Sequence, residues 1–160
     1  KTPEELEAEL RELPGVEDAA VLFGAMVVVT VEKATPGVPR VTVEQIWDWG
    51  YRNGCDGVTD RVLVMDAGER LDDPVRLLWL TLAHIDPERD VHRCTEPVRD
   101  QSLRTLPNWR GHRIGIDATT KTAADGFERD WPTEQVHPPE LLDAIAKDWN
   151  AMGLSGECPR

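Results

Sequence analysis

The chain has 160 residues, of which 40% are hydrophobic and 30% charged, and its formal net charge is -12 at pH 7. This size and composition predict one globular domain over residues 1–160, built around a single core. The negative charge repels nucleic acids and anionic membranes, so we expect neither as a partner.

Three features of the sequence indicate a cytoplasmic protein. The longest apolar stretch, "AAVLFGAMVVVTV", is too short to span a bilayer. The opening "KTPEELEAEL" is acidic and amphipathic, unlike a signal peptide. Three widely spaced cysteines without a C-x-x-C motif fit a reducing cytoplasm. Because the chain begins at Lys1 without a methionine, we expect a fragment or a processed piece of a longer protein.

The amino-terminal third predicts a helix followed by a hairpin. "TPEELEAELREL" carries Thr2 as N-cap and Glu5 three residues later, which is the pattern of a capping box. The strand-like runs "VEDAAVLF" and "MVVVTVEK" are separated only by Gly24 and Ala25. This spacing predicts an antiparallel hairpin.

Two further helices flank the strand-like run "RVLVMD". "TVEQIWDWGYRN" predicts a helix that begins with Thr42 as its N-cap and buries Val43, Ile46 and Trp47. "DPVRLLWLTLAHI" predicts a helix that begins at Asp73 and Pro74. Its apolar residues at the i, i+3, i+4, i+7 spacing of a core face are Val75, Leu78, Trp79 and Leu82.

The remaining elements complete an α/β fold. "DVHRC" and "RIGIDA" read as strands, and "PPELLDAIAKDWNAMG" predicts a last helix with Gly153 as its carboxyl-terminal cap. The apolar stripe of that helix consists of Leu141, Leu142, Ile145, Trp149 and Met152. Because helices separate the later strands, we expect parallel crossovers there. The fold class is a three-layer α/β/α sandwich with a mixed sheet, an amino-terminal hairpin followed by parallel crossovers.

The end of the last strand is the best candidate for a binding region. Ligands of α/β sheets meet the carboxyl ends of the strands, and "DATTK" delivers Asp117, Thr119 and Lys121 to such an end. Either this is a plain surface exit from the sheet, or the strand end faces something that binds, with Lys121 as an exposed loop lysine. The alternative is that Asp117 only satisfies backbone N–H groups of its own turn.

Two groups of potential metal ligands have simpler structural explanations. "HIDPERDVHRC" contains His84, Asp86, Asp90, His92 and Cys94 without a recognised ligand spacing. The carboxylates of Asp66, Glu69, Asp72 and Asp73 resemble a magnesium cluster, but Asp72 or Asp73 is better explained as a helix cap. No nucleophile elbow, phosphate loop or dinucleotide motif is present. We therefore assign no catalytic, cofactor-binding or metal-binding residue to this chain.

The tryptophans divide between core and surface. Trp47, Trp79 and Trp149 lie on apolar helical faces and are expected in the core, whereas Trp109 and Trp131 lie in loops. Trp109, Trp131 and the exposed side of the last helix are the candidates for an apolar contact surface.

The order of these segments resembles the carboxyl-terminal domain of the UbiD family of decarboxylases. "HIDPERDV" stands in the place of the family's R-x-D-P-x-R-D, and "GIDATTK" with "DWP" in the place of its G-[IL]-D-A-T-x-K…W. The resemblance runs from about "LPGVEDAAV" onward. Here His84 replaces the family's arginine, and Asp66-Ala67-Gly68-Glu69 replaces a run of aspartates.

The resemblance implies a function for the whole enzyme and a supporting role for this chain. UbiD enzymes decarboxylate aromatic or α,β-unsaturated acids with prenylated FMN and a divalent metal such as Mn²⁺. Both groups and the catalytic residues belong to the part of the protein that precedes this domain. The partners implied are that flavin-binding amino-terminal portion, or a separate large subunit, and a second copy in a homo-oligomer. This domain would contribute dimerisation and closure of the active site, with Asp117, Thr119, Lys121 and Trp131 facing the substrate or the interface. The alternative is a non-catalytic association module that kept the fold.

Overall fold

The structure, a computed structural model, describes residues 1–94, 98–99, 110–135 and 137–154. The helices are α1 (Pro3–Arg11), α2 (Val38–Asn53), α3 (Asp56–Thr59), α4 (Pro74–His84) and α5 (Pro139–Asp148), with a short 3-10 helix at Ala123–Asp125. The strands are β1 (Val16–Leu22), β2 (Met26–Val31), β3 (Arg61–Asp66), β4 (Val91–Arg93), β5 (Val98–Arg99), β6 (Arg110–Gly111) and β7 (Ile114–Asp117). In these ranges, every helix falls short of the length and apolar character that crossing a bilayer requires.

A mixed five-stranded sheet organises the fold, in the order β1-β2-β3-β7-β4. β1 pairs antiparallel with β2, as the hairpin prediction required, and β2, β3 and β7 run parallel to one another. β4 instead pairs antiparallel with β7, so the expectation of a parallel strand there is wrong. Because β4 runs antiparallel to β7, no helical crossover is required between these two strands. β4 follows α4 in the chain and lies at the edge of the sheet.

Helices cover both faces of this sheet, which confirms the three-layer α/β architecture. On one face, α1 and α2 pack against β2 and β3 around Leu10, Ile46, Val29 and Val64. The other face is covered by α4, where a second set of buried residues meets. That set contains Val28, Leu63, Met65, Leu71, Leu77, Leu80 and Ala118. Alternating residues of the buried parallel strands thus face the two layers.

The predicted N-cap is correct for α1 and wrong for α2. The Thr2–Glu5 capping box of α1 is present, as predicted. The predicted N-cap at Thr42 is wrong, because α2 begins one turn earlier, at Val38. Pro39 suits the first turn of a helix, where no N–H is needed. The Thr42 hydroxyl then donates to the Val38 carbonyl at 3.0 Å inside the helix.

α4 packs on the sheet with a different face from the predicted one. Its N-cap is Asp73 and Pro74 follows, as expected. The residues buried against the sheet are Leu77, Leu80 and Thr81, however, and the predicted core face is exposed. That face consists of Val75, Leu78, Trp79 and Leu82.

The chain divides into two compact units, Lys1–Arg129 and Asp130–Arg160. The first contains the five-stranded sheet and α1 to α4. In the second, α5 ends at Asp148 rather than continuing to Gly153, and none of its residues is fully buried. Ile145 and Trp149 are half-buried, while Leu141 and Leu142 are exposed. The expectation of one domain over residues 1–160 stays a prediction.

One glycine sets the distance between α2 and the sheet. A Cβ added at Gly115 in β7 would lie 2.4 Å from Val43 Cγ1 of α2. That distance is far inside van der Waals contact, so the helix could not keep its position over the strand. The glycine therefore lets α2 pack directly on β7.

We predict that Gly115→Ala lowers the free energy of unfolding by about 1–3 kcal/mol, because the added methyl group overpacks the α2–β7 contact. Urea denaturation measures the change. Gly37→Ala is the matched control, since a Cβ there meets nothing within 4 Å. Adding Val43→Ala to Gly115→Ala should recover part of the loss. Equal stabilities of the two glycine variants would contradict the close approach.

Candidate functional site at the carboxyl edge of the sheet

The carboxyl ends of β2, β3 and β7 lie side by side, because these strands are parallel neighbours. The segment of residues 118–122 leaves β7 at this edge. Lys33 follows β2 there, and Asp66 and Asp117 end β3 and β7. This edge is the candidate binding region that the sequence predicts.

Lys121 is the centre of a buried ionic cluster at this edge. Its ammonium nitrogen lies 2.9 Å from Asp117 Oδ1 and 3.4 Å from Asp90 Oδ1. It also donates to the Asp117 carbonyl oxygen at 3.0 Å. Lys121 and Asp90 are each only 2% exposed, and Asp117 is 6% exposed. The ammonium is thus hydrogen-bonded to one carbonyl and paired with two carboxylates, which is the condition for burying such a charge.

Asp90 is held by a second cation from the surface side. The Arg89 guanidinium donates to both carboxylate oxygens of Asp90, at 2.8 and 2.7 Å. The Asp86 N–H adds a third hydrogen bond at 2.7 Å. Burial alone would raise the pKa of Asp90, but these hydrogen bonds and the charges of Lys121 and Arg89 outweigh it and lower the pKa. Asp90 is therefore a stable anion at the start of β4.

The threonines after β7 fasten the loop to two strands. Thr119 donates its N–H and its hydroxyl to Asp117 Oδ1, at 3.0 and 2.5 Å. Thr120 donates the same two groups to Asp66 Oδ2, at 2.8 and 2.7 Å. One carboxylate thus closes the local turn, and the other ties the loop to the end of β3.

Lys33 completes the network from β2. Its ammonium nitrogen lies 2.8 Å from Asp125 Oδ1 and donates to the Thr120 carbonyl oxygen at 2.9 Å. Burial would raise the pKa of Asp125, but the hydrogen bonds from Lys33 and Thr122 lower it. Lys33 was not among the predicted site residues, although a lysine directly after a strand at the same edge is a usable signal.

His84 contacts the same loop from α4. Its ring Nδ1 lies 2.9 Å from the Ala118 carbonyl oxygen. This contact ties α4 to the backbone directly after β7. The loop after β7 is thus held from β2, β3, β4 and α4.

The predicted site residues are brought together, but differently from the expectation. Asp117, Thr119 and Lys121 form one cluster and all three are buried, so the expectation of an exposed loop lysine is wrong. Asp117 accepts the Thr119 N–H of its own turn, as the alternative has it, but it also pairs with Lys121. Trp131 is half-buried and belongs to the second unit, and Trp109 lies outside the described residues. Whether these residues face substrate or a neighbouring domain stays a prediction.

Three carboxylates of the second group of potential metal ligands have other partners in the structure. Glu69 pairs with Arg76 and Asp72 with Arg70, while Asp73 caps α4. Where the structure describes the chain, no three His, Cys, Asp or Glu side chains are grouped so as to hold a metal ion. At the carboxyl edge, Asp117 and Asp66 accept hydrogen bonds from Thr119 and Thr120 of the same domain.

We predict that Lys121→Met lowers the free energy of unfolding by about 3–5 kcal/mol, because it leaves Asp90 and Asp117 buried without their shared cation. Urea denaturation at neutral pH measures this. The control Lys147→Met, on an exposed position of α5, should change stability by less than about 0.5 kcal/mol. A similarly small effect of both variants would mean that the buried cluster does not support the fold.

We also predict an acid-dependent loss of stability in which Asp125 takes part. Its folded-state pKa is lowered, so its contribution is complete above the unfolded aspartate pKa of about 3.9 and is lost as the pH falls through the lower folded value. Asp125→Asn should therefore reduce stability at neutral pH and flatten the decline below about pH 4. Unfolding curves across this pH range measure both effects. Parallel curves for the parent and the variant would contradict the prediction.

Sequence comparison connects this fold to known proteins. The sequence profile of the 3-octaprenyl-4-hydroxybenzoate carboxy-lyase C-terminal domain matches residues 1–118. An uncharacterized protein of Archaeoglobus fulgidus is 28% identical over 130 residues, which are 80% of this chain and 26% of that protein. One of Aeropyrum pernix is 26% identical over 134 residues, or 83% and 27% of the two chains. The loop after Ala118 lies just beyond the profile match.

Solved structures share the fold at lower identity. The UbiD-class enzyme HmfF from Pelotomaculum thermopropionicum, in complex with FMN, has a TM-score of 0.63 at 20% identity, covering 89% of this chain and 31% of that one. Vanillic acid decarboxylase of Sedimentibacter hydroxybenzoicus in its open form has a TM-score of 0.68 at 17% identity, covering 94% and 32%. The chain thus spans about a quarter to a third of the length of these proteins. With the profile matched over residues 1–118 and the same fold in UbiD-class enzymes, the chain belongs to the family of UbiD carboxyl-terminal domains.

Proposed function

We propose that this chain is the carboxyl-terminal domain, or a separately encoded small subunit, of a UbiD-type decarboxylase. The reaction is the reversible, non-oxidative loss of CO₂ from an aromatic or α,β-unsaturated carboxylic acid. The chain's part in it is association and closure of the active site, and the protein acts in the cytoplasm. The observation that supports this division of roles is that the polar side chains at the carboxyl edge form hydrogen bonds and ion pairs with one another.

The residues at this edge do not fit a flavin phosphate or its metal. A phosphate is held by several free N–H groups or cations, and a hard divalent metal takes several oxygen ligands. Here the oxygens of Asp66, Asp117 and Asp125 accept hydrogen bonds from Thr120, Thr119 and Lys33. We therefore assign prenylated FMN and a divalent metal such as Mn²⁺ to the flavin-binding amino-terminal portion or large subunit. The HmfF structures with FMN and with prFMN support a flavin in this class of enzyme.

To close over an active site, a domain needs a rigid structure more than it needs reactive side chains. Vanillic acid decarboxylase has been solved in open and closed forms, which supports a movement of this kind in a relative. A lid can direct binding energy toward catalysis only if it keeps its shape while it moves. Asp117, Thr119 and Lys121 give the edge that stiffness, and we propose that this edge and Trp131 lie toward the flavin-binding portion.

The cofactor assignment is tested with the chain alone. Incubated with prenylated FMN and Mn²⁺ and then desalted, it is expected to retain no flavin and to release no CO₂ from candidate acids. Absorbance and headspace CO₂ are the measurements. Stoichiometric flavin retention by the chain alone would contradict the assignment.

Adding the flavin-binding portion tests the enzymatic role. We expect exchange of labelled bicarbonate into the acid to rise at least tenfold when this chain is present, which corresponds to about 1.4 kcal/mol in the barrier. Exchange that is the same with and without the chain would favour the alternative function, a non-catalytic association module that kept the fold.

A further inference from the structure

An uncharged stretch of the chain forms one outer edge of the sheet. The sequence from Ala19 to Val31 contains no charged residue and no proline, and it supplies more than half of β1 and all of β2. β1 is seven residues long and is an end strand of the five-stranded sheet. An open edge of this length and composition is a template on which a strand of another molecule can pair, which leads to aggregation.

The two edges of this sheet differ in their need for protection. β4, at the opposite edge, is only three residues long, and such a short strand is a poor template for pairing. A groove of about 770 Å³ runs along β1, between α1 and the segment of residues 68–72. Glu17 of β1 accepts the Gly68 N–H at 2.9 Å and so fixes the far wall of this groove. The edge of β1 therefore has room for a further strand.

The outward backbone groups of β1 are nevertheless occupied. In an antiparallel pair, alternate residues turn their N–H and C=O groups away from the neighbouring strand, and in β1 these include Ala19 and Val21. Glu7 of α1 accepts the Val21 N–H at 2.8 Å. Arg11 donates to the Ala19 carbonyl oxygen at 2.6 Å, and Asp18 accepts the Ala19 N–H at 2.7 Å. Side chains thus occupy both outward groups of Ala19 and the N–H of Val21.

Ion pairs hold the three side chains together. Arg11 Nε lies 2.6 Å from Asp18 Oδ1, and Arg11 Nη2 lies 3.6 Å from Glu7 Oε2. The hydrogen bond from Arg11 lowers the pKa of Asp18, so this carboxylate is ionised at neutral pH.

The spacing of α1 also fits that of the strand. Four helical residues, from Glu7 to Arg11, rise about 6 Å, and two strand residues span about 6.6 Å. The two side chains therefore reach alternate residues of β1.

We propose that Glu7, Arg11 and Asp18, here called the edge-blocking residues, keep β1 from pairing with a strand of another molecule. A strand adds to a sheet edge through main-chain hydrogen bonds, and these side chains already make such bonds at Ala19 and Val21. An incoming strand has to break them and separate the ion pairs. The uncharged stretch can thus pack inside the domain without leaving an open edge. This inference is independent of the proposed function, because it concerns the edge of the sheet alone.

The double variant Glu7→Ala/Arg11→Ala tests the proposal by removing two of the edge-blocking residues. Alanine keeps α1 helical, so the domain should fold with its β1 edge open. We expect the variant to assemble roughly tenfold faster than the parent or more, into species larger than those of the parent. Light scattering and sedimentation measure this, and infrared spectra should show added intermolecular sheet.

The control Arg40→Ala/Glu44→Ala removes the same two residue types from a matched pair on α2. These side chains have the same i,i+4 spacing and contact each other at 3.0 Å on the exposed surface. The control changes composition and net charge identically, so it should assemble like the parent. Equal assembly of the two double variants, or a Glu7→Ala/Arg11→Ala chain that behaves like the parent, overturns the proposal.

Adding Val21→Pro to Glu7→Ala/Arg11→Ala locates the assembly at β1. The Val21 N–H donates to Glu7 rather than to β2, so proline at this position removes no bond of the β1–β2 ladder. The triple variant should return to the assembly rate of the parent. Assembly that continues at the rate of the double variant overturns the proposal.

Amide hydrogen exchange separates an open edge from an unfolded chain. In dilute Glu7→Ala/Arg11→Ala, the Val21 amide should exchange roughly tenfold faster than in the parent or more, while the amides of β2 and β3 keep their protection. The single variant Glu7→Ala removes the same acceptor with less disturbance and should show the same change at Val21. Loss of protection in β2 before assembly begins, or an unchanged Val21 amide in both variants, overturns the proposal.

Discussion

The burial of the Lys121 ammonium is the interaction on which the carboxyl edge depends. A buried cation is tolerated only when anionic partners surround it, and here the partners are Asp117 at the end of β7 and Asp90 before β4. Satisfying one ammonium group therefore fixes two neighbouring strand ends at the edge of the sheet. Thr120 and Lys33 extend the constraint to β3 and β2. The loop after β7 is a fixed part of the domain for this reason.

This constraint separates two surfaces with different chemistry. The carboxyl edge is polar, but its hydrogen-bonding groups are largely committed within the domain, so it offers shape and stiffness. The side of α4 that faces away from the sheet is apolar instead, and it exposes Val75, Leu78, Trp79 and Leu82.

Features set by neighbouring residues could be predicted from the sequence, and features set by distant ones could not. The Thr2 cap and the β1–β2 hairpin depend on local spacing and were predicted correctly. For α4, both faces carry large apolar residues, so periodicity alone could not decide that Leu77 and Leu80 meet the sheet. The burial of Lys121 depends on Asp90, which directly precedes another strand, β4, and is distant in the sequence. The position of "DATTK" at the end of a strand located the candidate site, but only the fold showed that its lysine is buried.

Amide hydrogen exchange of the loop after β7 tests the central proposal of a fixed carboxyl edge most directly. The N–H groups of Ala118, Thr119 and Thr120 donate to Val64, Asp117 and Asp66, so they should exchange as slowly as the amides of β7 itself. A mobile lid that only orders on substrate would instead exchange these amides as fast as an exposed loop. Protection equal to that of β7 is the predicted result, and unprotected exchange in the folded chain would contradict it.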